Sequence, residues 1–219
     1  MTTQRPILFI GDSITDAGGR EDEDGHLGDG YVRIIAGRIP NREVINVGIG
    51  GDRAVNLRER WQEDVIDRAP DLLSVYVGIN DTWRRYDADD PTSAASFESD
   101  YRGMLEQAVD ELSPQLVLIE PFVLPVTEGQ KRWHEDLDEK RAIVGRLAAD
   151  FGAAFIPLQL LLDAAAKQHG AAALAEDGVH PTALGHRIIA DAWLEAAQLD
   201  GAVSQDRAAT SQGVGIVEA

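Results

Sequence analysis

The sequence predicts an α/β fold, in which a parallel sheet lies between two layers of helices. Five short, strongly apolar runs are spaced along the 219 residues, and segments with helical spacing separate them. Strands that alternate with helices form parallel sheets covered on both faces, because each crossover helix packs back onto the sheet. The sequence therefore predicts a three-layer α/β/α sandwich in one domain.

The five predicted strands are rich in β-branched and other apolar residues, which is typical of strands buried on both faces. They cover residues 7–10, 43–47, 72–77, 116–120 and 153–157. The predicted helices cover residues 31–38, 54–68, 92–112, 130–151, 158–167 and 182–199. From residue 200 the composition turns to Gly, Ser, Gln and Ala. This predicts a domain over 1–199 and a flexible tail over 200–219.

The composition excludes several classes of function. The formal net charge of −18 opposes binding to nucleic acid or to anionic lipid. The absence of cysteine excludes disulfides, thiolate metal sites and a cysteine nucleophile. No apolar stretch is long enough to span a membrane. Residues 1–6 lack the apolar region of a signal peptide, so the expected location is cytoplasmic.

The first strand ends abruptly in Gly11-Asp12-Ser13. Gly11 permits a sharp turn, which places Ser13 beyond the carboxyl end of a strand, where open α/β sheets bind ligands. A serine hydroxyl is a weak nucleophile that needs a base, and the base needs a third group to orient it. Near the other end of the chain, His180 is a candidate base, and Asp177 is placed to accept from its second ring nitrogen.

Four sequence blocks together resemble the SGNH (GDSL-type) hydrolases, over about residues 5 to 198. The blocks are Gly11–Ile14, Asn46–Asp52, Gly78–Asp81 and Asp177–His180. The resemblance implies a five-stranded sheet in the flavodoxin-like order 2-1-3-4-5, and a catalytic triad of Ser13, Asp177 and His180. It also implies an oxyanion hole made by the backbone N–H groups of Ser13 and Gly51 and by the side chain of Asn80. Asp12 would brace the turn, and the chemistry requires no metal or cofactor.

Two of these blocks have other interpretations when taken alone. The glycines at 48, 50 and 51 could cradle a phosphate, although the Lys-Ser/Thr of a P-loop is absent. An asparagine after a strand, such as Asn80, often caps its own backbone in a turn. The other blocks favour the catalytic interpretation of both.

The segments around the blocks are similar to intracellular acetylxylan esterases and related carbohydrate acetylesterases. This resemblance implies a small ester substrate, an acetylated xylo-oligosaccharide or related sugar, and a homo-oligomer. Glu176 departs from the pattern, since an aromatic residue can precede the triad aspartate in that group. Candidates for contact with the substrate are Tyr31, Trp83, Arg84 and Trp133. Tyr31 fits a buried core position equally well.

Other functions remain open at this point. A lysophospholipase or acyl-thioesterase of the same family would use the same triad on longer acyl chains. A catalytically silent carbohydrate-binding protein or a nucleotide-binding flavodoxin-like domain would keep only the fold. His134 and Asp138 have helical spacing that could ligate a metal, but a solvated helix face is the better interpretation. His186 is predicted to be structural.

Overall fold

The computed structural model describes residues 4–21 and 26–198. Its centre is a parallel sheet of five strands in the order β2-β1-β3-β4-β5. The strands are β1 (Ile7–Gly11), β2 (Val44–Asn46), β3 (Leu72–Tyr76), β4 (Gln115–Ile119) and β5 (Ala154–Ile156). The flavodoxin-like order that the resemblance implied is therefore confirmed. All carboxyl ends of the strands meet at one edge of the sheet.

Helices connect the strands and cover both faces of the sheet. Their bounds are α1 (Ser13–Asp16), α2 (Tyr31–Arg38), α3 (Ala54–Glu59), α4 (Ile79–Asp87), α5 (Ala94–Glu111), α6 (Glu128–Lys131), α7 (His134–Asp150), α8 (Leu158–His169), α9 (Ala171–Leu174) and α10 (Ala183–Ala196). A 3₁₀ turn covers Gly19–Glu21 and a π-helical turn covers Gln62–Ile66. None of the described helices is long and apolar enough to cross a membrane.

Side chains of the central strands alternate between two hydrophobic cores, one on each face of the sheet. In β1, Ile7 and Phe9 pack with α2, α8 and α10, whereas Leu8 and Ile10 pack with α3, α5 and α7. Trp193 of α10 anchors the first core: its ring centroid lies 4.9 Å from that of Phe9. This alternation follows from the two-residue period of a strand, and it confirms the predicted three-layer arrangement.

Two predicted helices differ from the structure. The helix predicted over 54–68 is α3 followed by the π-helical turn, which is closed by a hydrogen bond from Asp67 N to Gln62 O of 2.9 Å. The helix predicted over 130–151 divides into α6 and α7, because the N–H groups of Arg132 and Trp133 bond three residues back, to Gly129 O at 3.2 Å and Gln130 O at 3.0 Å. Helix α4 was not predicted. The predicted tail over 200–219 lies outside the described residues.

Candidate active site

Ser13 stands at the first position of α1, immediately after β1. A Cβ atom at Gly11 would come within 2.2 Å of Tyr76 O and 2.4 Å of the Thr15 Oγ1 atom, so only glycine fits at this crossing. Asp12 caps the helix, since its Oδ1 accepts a 3.0 Å hydrogen bond from Ile14 N. These two residues turn the chain sharply and present Ser13 at the carboxyl edge of the sheet.

A hydrogen-bonded chain of three side chains begins at Ser13. The distance from Ser13 Oγ to His180 Nε2 is 3.0 Å, and that from His180 Nδ1 to Asp177 Oδ2 is 2.6 Å. The side chains of His180 and Asp177 are each 47% exposed, so the arrangement is open to solvent. Residues 167 positions apart in the sequence are thus brought into direct contact.

The charge of Asp177 determines which nitrogen of His180 carries the proton. Partial burial raises the pKa of Asp177, but hydrogen bonds from the His180 ring and from two backbone N–H groups outweigh this, so the pKa lies below its ordinary value. The ionised carboxylate accepts the proton on Nδ1 of His180. Nε2 is then free to accept a hydrogen bond from the Ser13 hydroxyl.

The turn that carries Asp177 and His180 is held by residues that the sequence analysis did not single out. Oδ1 of Asp177 accepts from the backbone N–H groups of Val179 at 2.9 Å and His180 at 2.7 Å. Gln130 Nε2 donates to the Asp177 carbonyl at 2.6 Å. The Thr-x-x-Gln spacing of the α6 capping box is the signal that could have drawn attention to Gln130.

The glycine-rich loop after β2 and the start of α4 lie beside the serine. A Cβ atom added to Gly50 would come within 3.8 Å of Ser13 Cβ, and the adjacent Gly51 has a φ of +87°. Asn80 lies in the first turn of α4, and its Nδ2 donates to Asp52 O at 3.1 Å. This hydrogen bond joins Asn80 to the residue that follows Gly51. The loop and the asparagine are therefore neighbours at the carboxyl edge.

Two buried carboxyl groups lie close to this edge. Burial raises the pKa of Asp12 to about 7, and the charges of Asp81 and Asp52 add to the effect. Burial also raises the pKa of Asp81 to about 6, although Ala54 N donates to it. One oxygen of each, Oδ2 of Asp12 and Oδ1 of Asp81, has no hydrogen-bond partner within the described part of the chain. The carboxyl groups of Asp12 and Asp81 therefore keep their protons at pH values at which an exposed carboxyl group is ionised.

The four predicted substrate contacts occupy different environments. Trp83 is partly buried, with its ring centroid 6.0 Å from that of His180, and it packs against the buried Trp133 at 5.2 Å. Arg84 forms an ion pair with Asp87 on the same helix. The structure contradicts a substrate contact for Tyr31, which is fully buried with its hydroxyl 3.0 Å from Thr15 Oγ1. Its position at the start of α2 directs the ring into the core.

Two other histidines, His186 and His134, form hydrogen bonds outside the chain of side chains that begins at Ser13. Nδ1 of His186 accepts a 3.2 Å hydrogen bond from Tyr31 N at the start of α2, which confirms its structural role. Nδ1 of His134 lies 3.2 Å from Asp138 Oδ1 on the exposed face of α7. Within residues 4–21 and 26–198, no group of three or more His, Asp or Glu side chains is arranged to hold a metal ion.

An open parallel α/β sheet that presents a Ser–His–Asp arrangement at its carboxyl edge is typical of hydrolases that act through an acyl-serine. Comparison with known proteins agrees with this class. Residues 9–188 match the GDSL-like lipase/acylhydrolase family. The chain is 35% identical over 201 residues to the acetylxylan esterase of Geobacillus stearothermophilus, covering 86% of this chain and 91% of that enzyme.

Solved structures give the same result. The crystal structure of that acetylxylan esterase, Axe2, superimposes with a TM-score of 0.81 at 31% identity, covering 91% of this chain and 98% of Axe2. A GDSL-like lipase from Parabacteroides merdae gives a TM-score of 0.82 at 33% identity, with 89% and 97% covered. Catalytic mutants of Axe2, in which a serine, an aspartate or a histidine is replaced by alanine, are similarly close. The chain belongs to the GDSL-like lipase/acylhydrolase (SGNH) family and is a carboxylic ester hydrolase.

Proposed function

We propose that this hydrolase removes acetyl groups from acetylated xylo-oligosaccharides or related sugars through an acetyl-serine at Ser13. The observation that carries the proposal is the hydrogen-bonded chain from Ser13 through His180 to Asp177 at the carboxyl edge of the sheet. The substrate class is supported by the acetylxylan esterase relative, which matches over most of both chains.

In the first half of the reaction, Ser13 Oγ attacks the carbonyl carbon of the acetyl ester while His180 Nε2 takes the hydroxyl proton. The imidazolium that forms is stabilised by the Asp177 carboxylate, whose lowered pKa keeps it ionised well below neutral pH. His180 then gives this proton to the sugar oxygen as the C–O bond breaks. The products of this step are the free sugar hydroxyl and acetyl-Ser13.

In the second half, His180 takes a proton from water, and the resulting hydroxide attacks the acetyl-serine. Collapse of the tetrahedral intermediate returns the proton to Ser13 Oγ and releases acetate. In both halves the negative oxygen is bound by the N–H groups of Ser13 and Gly51 and by the side chain of Asn80. Loss of one such donor typically lowers turnover by about 10²–10³-fold.

Two properties of the chain favour a neutral sugar ester over a lipid or an anionic thioester. The net charge of −18 repels anionic lipid headgroups and anionic acyl carriers. The partly exposed Trp83 lies beside His180, where an indole surface can contact the apolar face of a sugar ring. A sugar ester on the open side of His180 therefore suits both the charge and the shape of this site.

The first test compares substrates. Initial rates are measured on p-nitrophenyl acetate, butyrate and octanoate, together with acetate release from acetylated xylo-oligosaccharides. The wild type is expected to favour acetate over octanoate and to release acetate from the sugar. Ser13→Ala is expected to be inactive on all four substrates, whereas Ser96→Ala, a change at an exposed serine of α5, keeps wild-type rates.

A preference for octanoate without sugar deacetylation would reject the substrate class and favour lipid or thioester hydrolysis by the same residues. Undiminished hydrolysis by Ser13→Ala would reject the nucleophile.

The proposal also includes a homo-oligomer in the cytoplasm, and a single domain over 1–199. Light scattering of the purified chain checks the assembly, and a chain shortened after Leu199 checks the domain.

A further inference from the structure

Arg60 is a largely buried arginine that the proposed mechanism does not use. It follows α3 directly, and its side chain is only 16% exposed. Burying a guanidinium is costly unless its N–H groups are paired, so its partners indicate why the fold keeps it there.

The guanidinium binds two backbone carbonyls and two carboxylate side chains. Nε donates to Asp52 Oδ2 at 2.9 Å, and Nη1 donates to Val47 O at 2.7 Å. Nη2 donates to Gly11 O at 3.3 Å, and Nη1 also contacts Asp64 at 2.5 Å. One planar group thus joins the end of β1, the start of the glycine-rich loop and the end of that loop.

Two of these segments lead to the proposed oxyanion donors. Gly11 lies two residues before Ser13, and its carbonyl also accepts from Ile49 N at 3.0 Å. Asp52 follows Gly51 directly, and its carbonyl accepts the Asn80 side chain at 3.1 Å. Arg60 is therefore connected to all three proposed donors. Ser13 and Gly51 lie within two residues of its hydrogen-bond partners, Gly11 and Asp52. The Asn80 amide is one further hydrogen bond away, through Asp52 O.

The geometry requires an arginine at this position. A guanidinium offers five N–H donors in a fixed plane, whereas a lysine ammonium is a point charge with three donors. The positive charge of Arg60 is needed as well, because it keeps the partly buried Asp52 carboxylate ionised more readily. Burial and the neighbouring Asp64 raise the pKa of Asp52, and Arg60 is the group that most opposes this.

We propose that Arg60 is a positioning residue for ester hydrolysis, which holds the three oxyanion donors at a fixed separation without touching the substrate. This inference rests on the proposed function, since it assumes that those donors bind the oxyanion. Because the donors come from three different segments of the chain, a shared anchor sets the distances among them more directly than the packing of any single segment.

Arg60→Lys is the principal test, with Arg42→Lys as its matched control. Arg42 is equally buried, at 15% exposed, and it likewise binds a carboxylate, Asp71, and a backbone carbonyl, Arg5 O at 3.2 Å. It lies at the opposite, amino-terminal edge of the sheet. Arg60→Lys is expected to lower kcat for p-nitrophenyl acetate by about 10²-fold with little change in KM, because a donor displaced by about 1 Å costs that much. Arg42→Lys is expected to keep kcat within about threefold.

A second readout separates positioning from general loss of structure. A trifluoromethyl ketone adds to Ser13 and forms a tetrahedral oxyanion. In Arg60→Lys its affinity should fall by the same factor as kcat/KM, as expected for a lost transition-state interaction. The active fraction, counted with a phosphonate titrant, should stay near that of the wild type. A purely structural role would lower the active fraction and the melting temperature but leave kcat per active site unchanged.

If Arg60→Lys does not fold, Asp52→Asn takes its place, because it weakens the charge-assisted contact to Arg60 and keeps the carbonyl that binds Asn80. The expected loss in kcat is then about tenfold. Wild-type kcat per active site in the folded variant, with unchanged ketone affinity, would overturn the positioning role. A wild type without esterase activity would instead overturn the proposed function.

Discussion

Asp12 is a carboxyl group buried directly before the proposed nucleophile. Its pKa rises from an ordinary 3.8 to about 7, first because burial removes water and then because Asp81 and Asp52 are negatively charged. A hydrogen bond from Ile14 N opposes the rise without cancelling it. The folded chain therefore binds a proton at Asp12 over a pH range in which the unfolded chain has lost it.

This shift predicts how stability depends on pH. Between about pH 4 and pH 7 the folded state binds more protons at Asp12, so stability from this group falls as pH rises, by about 4 kcal/mol in total. Asp12→Asn cannot titrate, so the free energy of unfolding of the variant relative to the wild type should increase over this range. Urea denaturation at about pH 4.5, 6 and 8 measures the difference in the free energy of unfolding between Asp12→Asn and the wild type.

The difference between variants isolates Asp12 from other titrating groups. His186 acts in the opposite direction, because burial lowers its pKa to about 4, so its contribution to stability is lost as pH falls from about 6.5 to 4. His186 is present in both proteins, so its contribution cancels in the difference between their free energies of unfolding. Asp191→Asn, at an exposed carboxyl group, serves as the control and should follow the wild type. Parallel pH profiles for Asp12→Asn and the wild type would contradict the shift.

At the scale of single residues, the sequence identified the side chains that have strong local signals. Ser13 follows an abrupt strand end, and Asp177 and His180 form a short turn before a helix. Arg60 and Gln130 carry no such signal, because their roles depend on which distant backbone atoms they reach after folding. For Tyr31 the sequence allowed a substrate contact or a core position equally, because it does not tell which way the ring faces; the ring is in the core.

At the scale of secondary structure, α4 places Asn80 through one unusual glycine. Gly78 has a φ of +137°, and a Cβ atom there would come within 3.0 Å of Pro121 Cγ and 3.3 Å of Phe97 Cζ. Only glycine adopts this backbone conformation without strain. The glycine thus lets the chain leave β3 and enter α4 in a single step, with Asn80 in its first turn.

Gly78→Ala is expected to destabilise the fold by about 1–3 kcal/mol and to lower kcat as Asn80 moves. Gly37→Ala is the control: it lies in α2, where an added Cβ would meet no described atom within 4 Å, and should stabilise by about 0.5–1 kcal/mol. Urea denaturation and p-nitrophenyl acetate turnover measure both effects. Equal stability changes at the two glycines would show that the backbone at Gly78 is not strained by a side chain.

The sequence predicted the existence of the strands and long helices better than their boundaries. Apolar runs mark buried strands clearly, so all five strands were found. Helix α4 was missed because it begins inside the Gly78–Asp81 block, after a glycine and without a side-chain cap that would mark a helix start. The division between α6 and α7 was missed because helical spacing continues through Trp133, while the break is made by backbone hydrogen bonds from Arg132 and Trp133 to residues three back.

At the scale of the whole molecule, the order of the strands creates the site. The carboxyl edge gathers Ser13 after β1, Gly51 after β2 and Asn80 after β3. The turn before α10 then brings His180 to the same edge. Hydrophobic periodicity predicts strands and helices but carries no information about which strands are neighbours. That order came from the resemblance of four separated blocks to a known family.

We expect Ser13 to be the single nucleophile at this edge of the sheet. To test this, the wild type is labelled with a fluorophosphonate, the label is located by peptide mass spectrometry and acetate release is followed in parallel. We expect one label per chain, on Ser13, with activity lost in proportion, and much slower labelling of His180→Ala. Label on another residue, or full activity with Ser13 labelled, would contradict it.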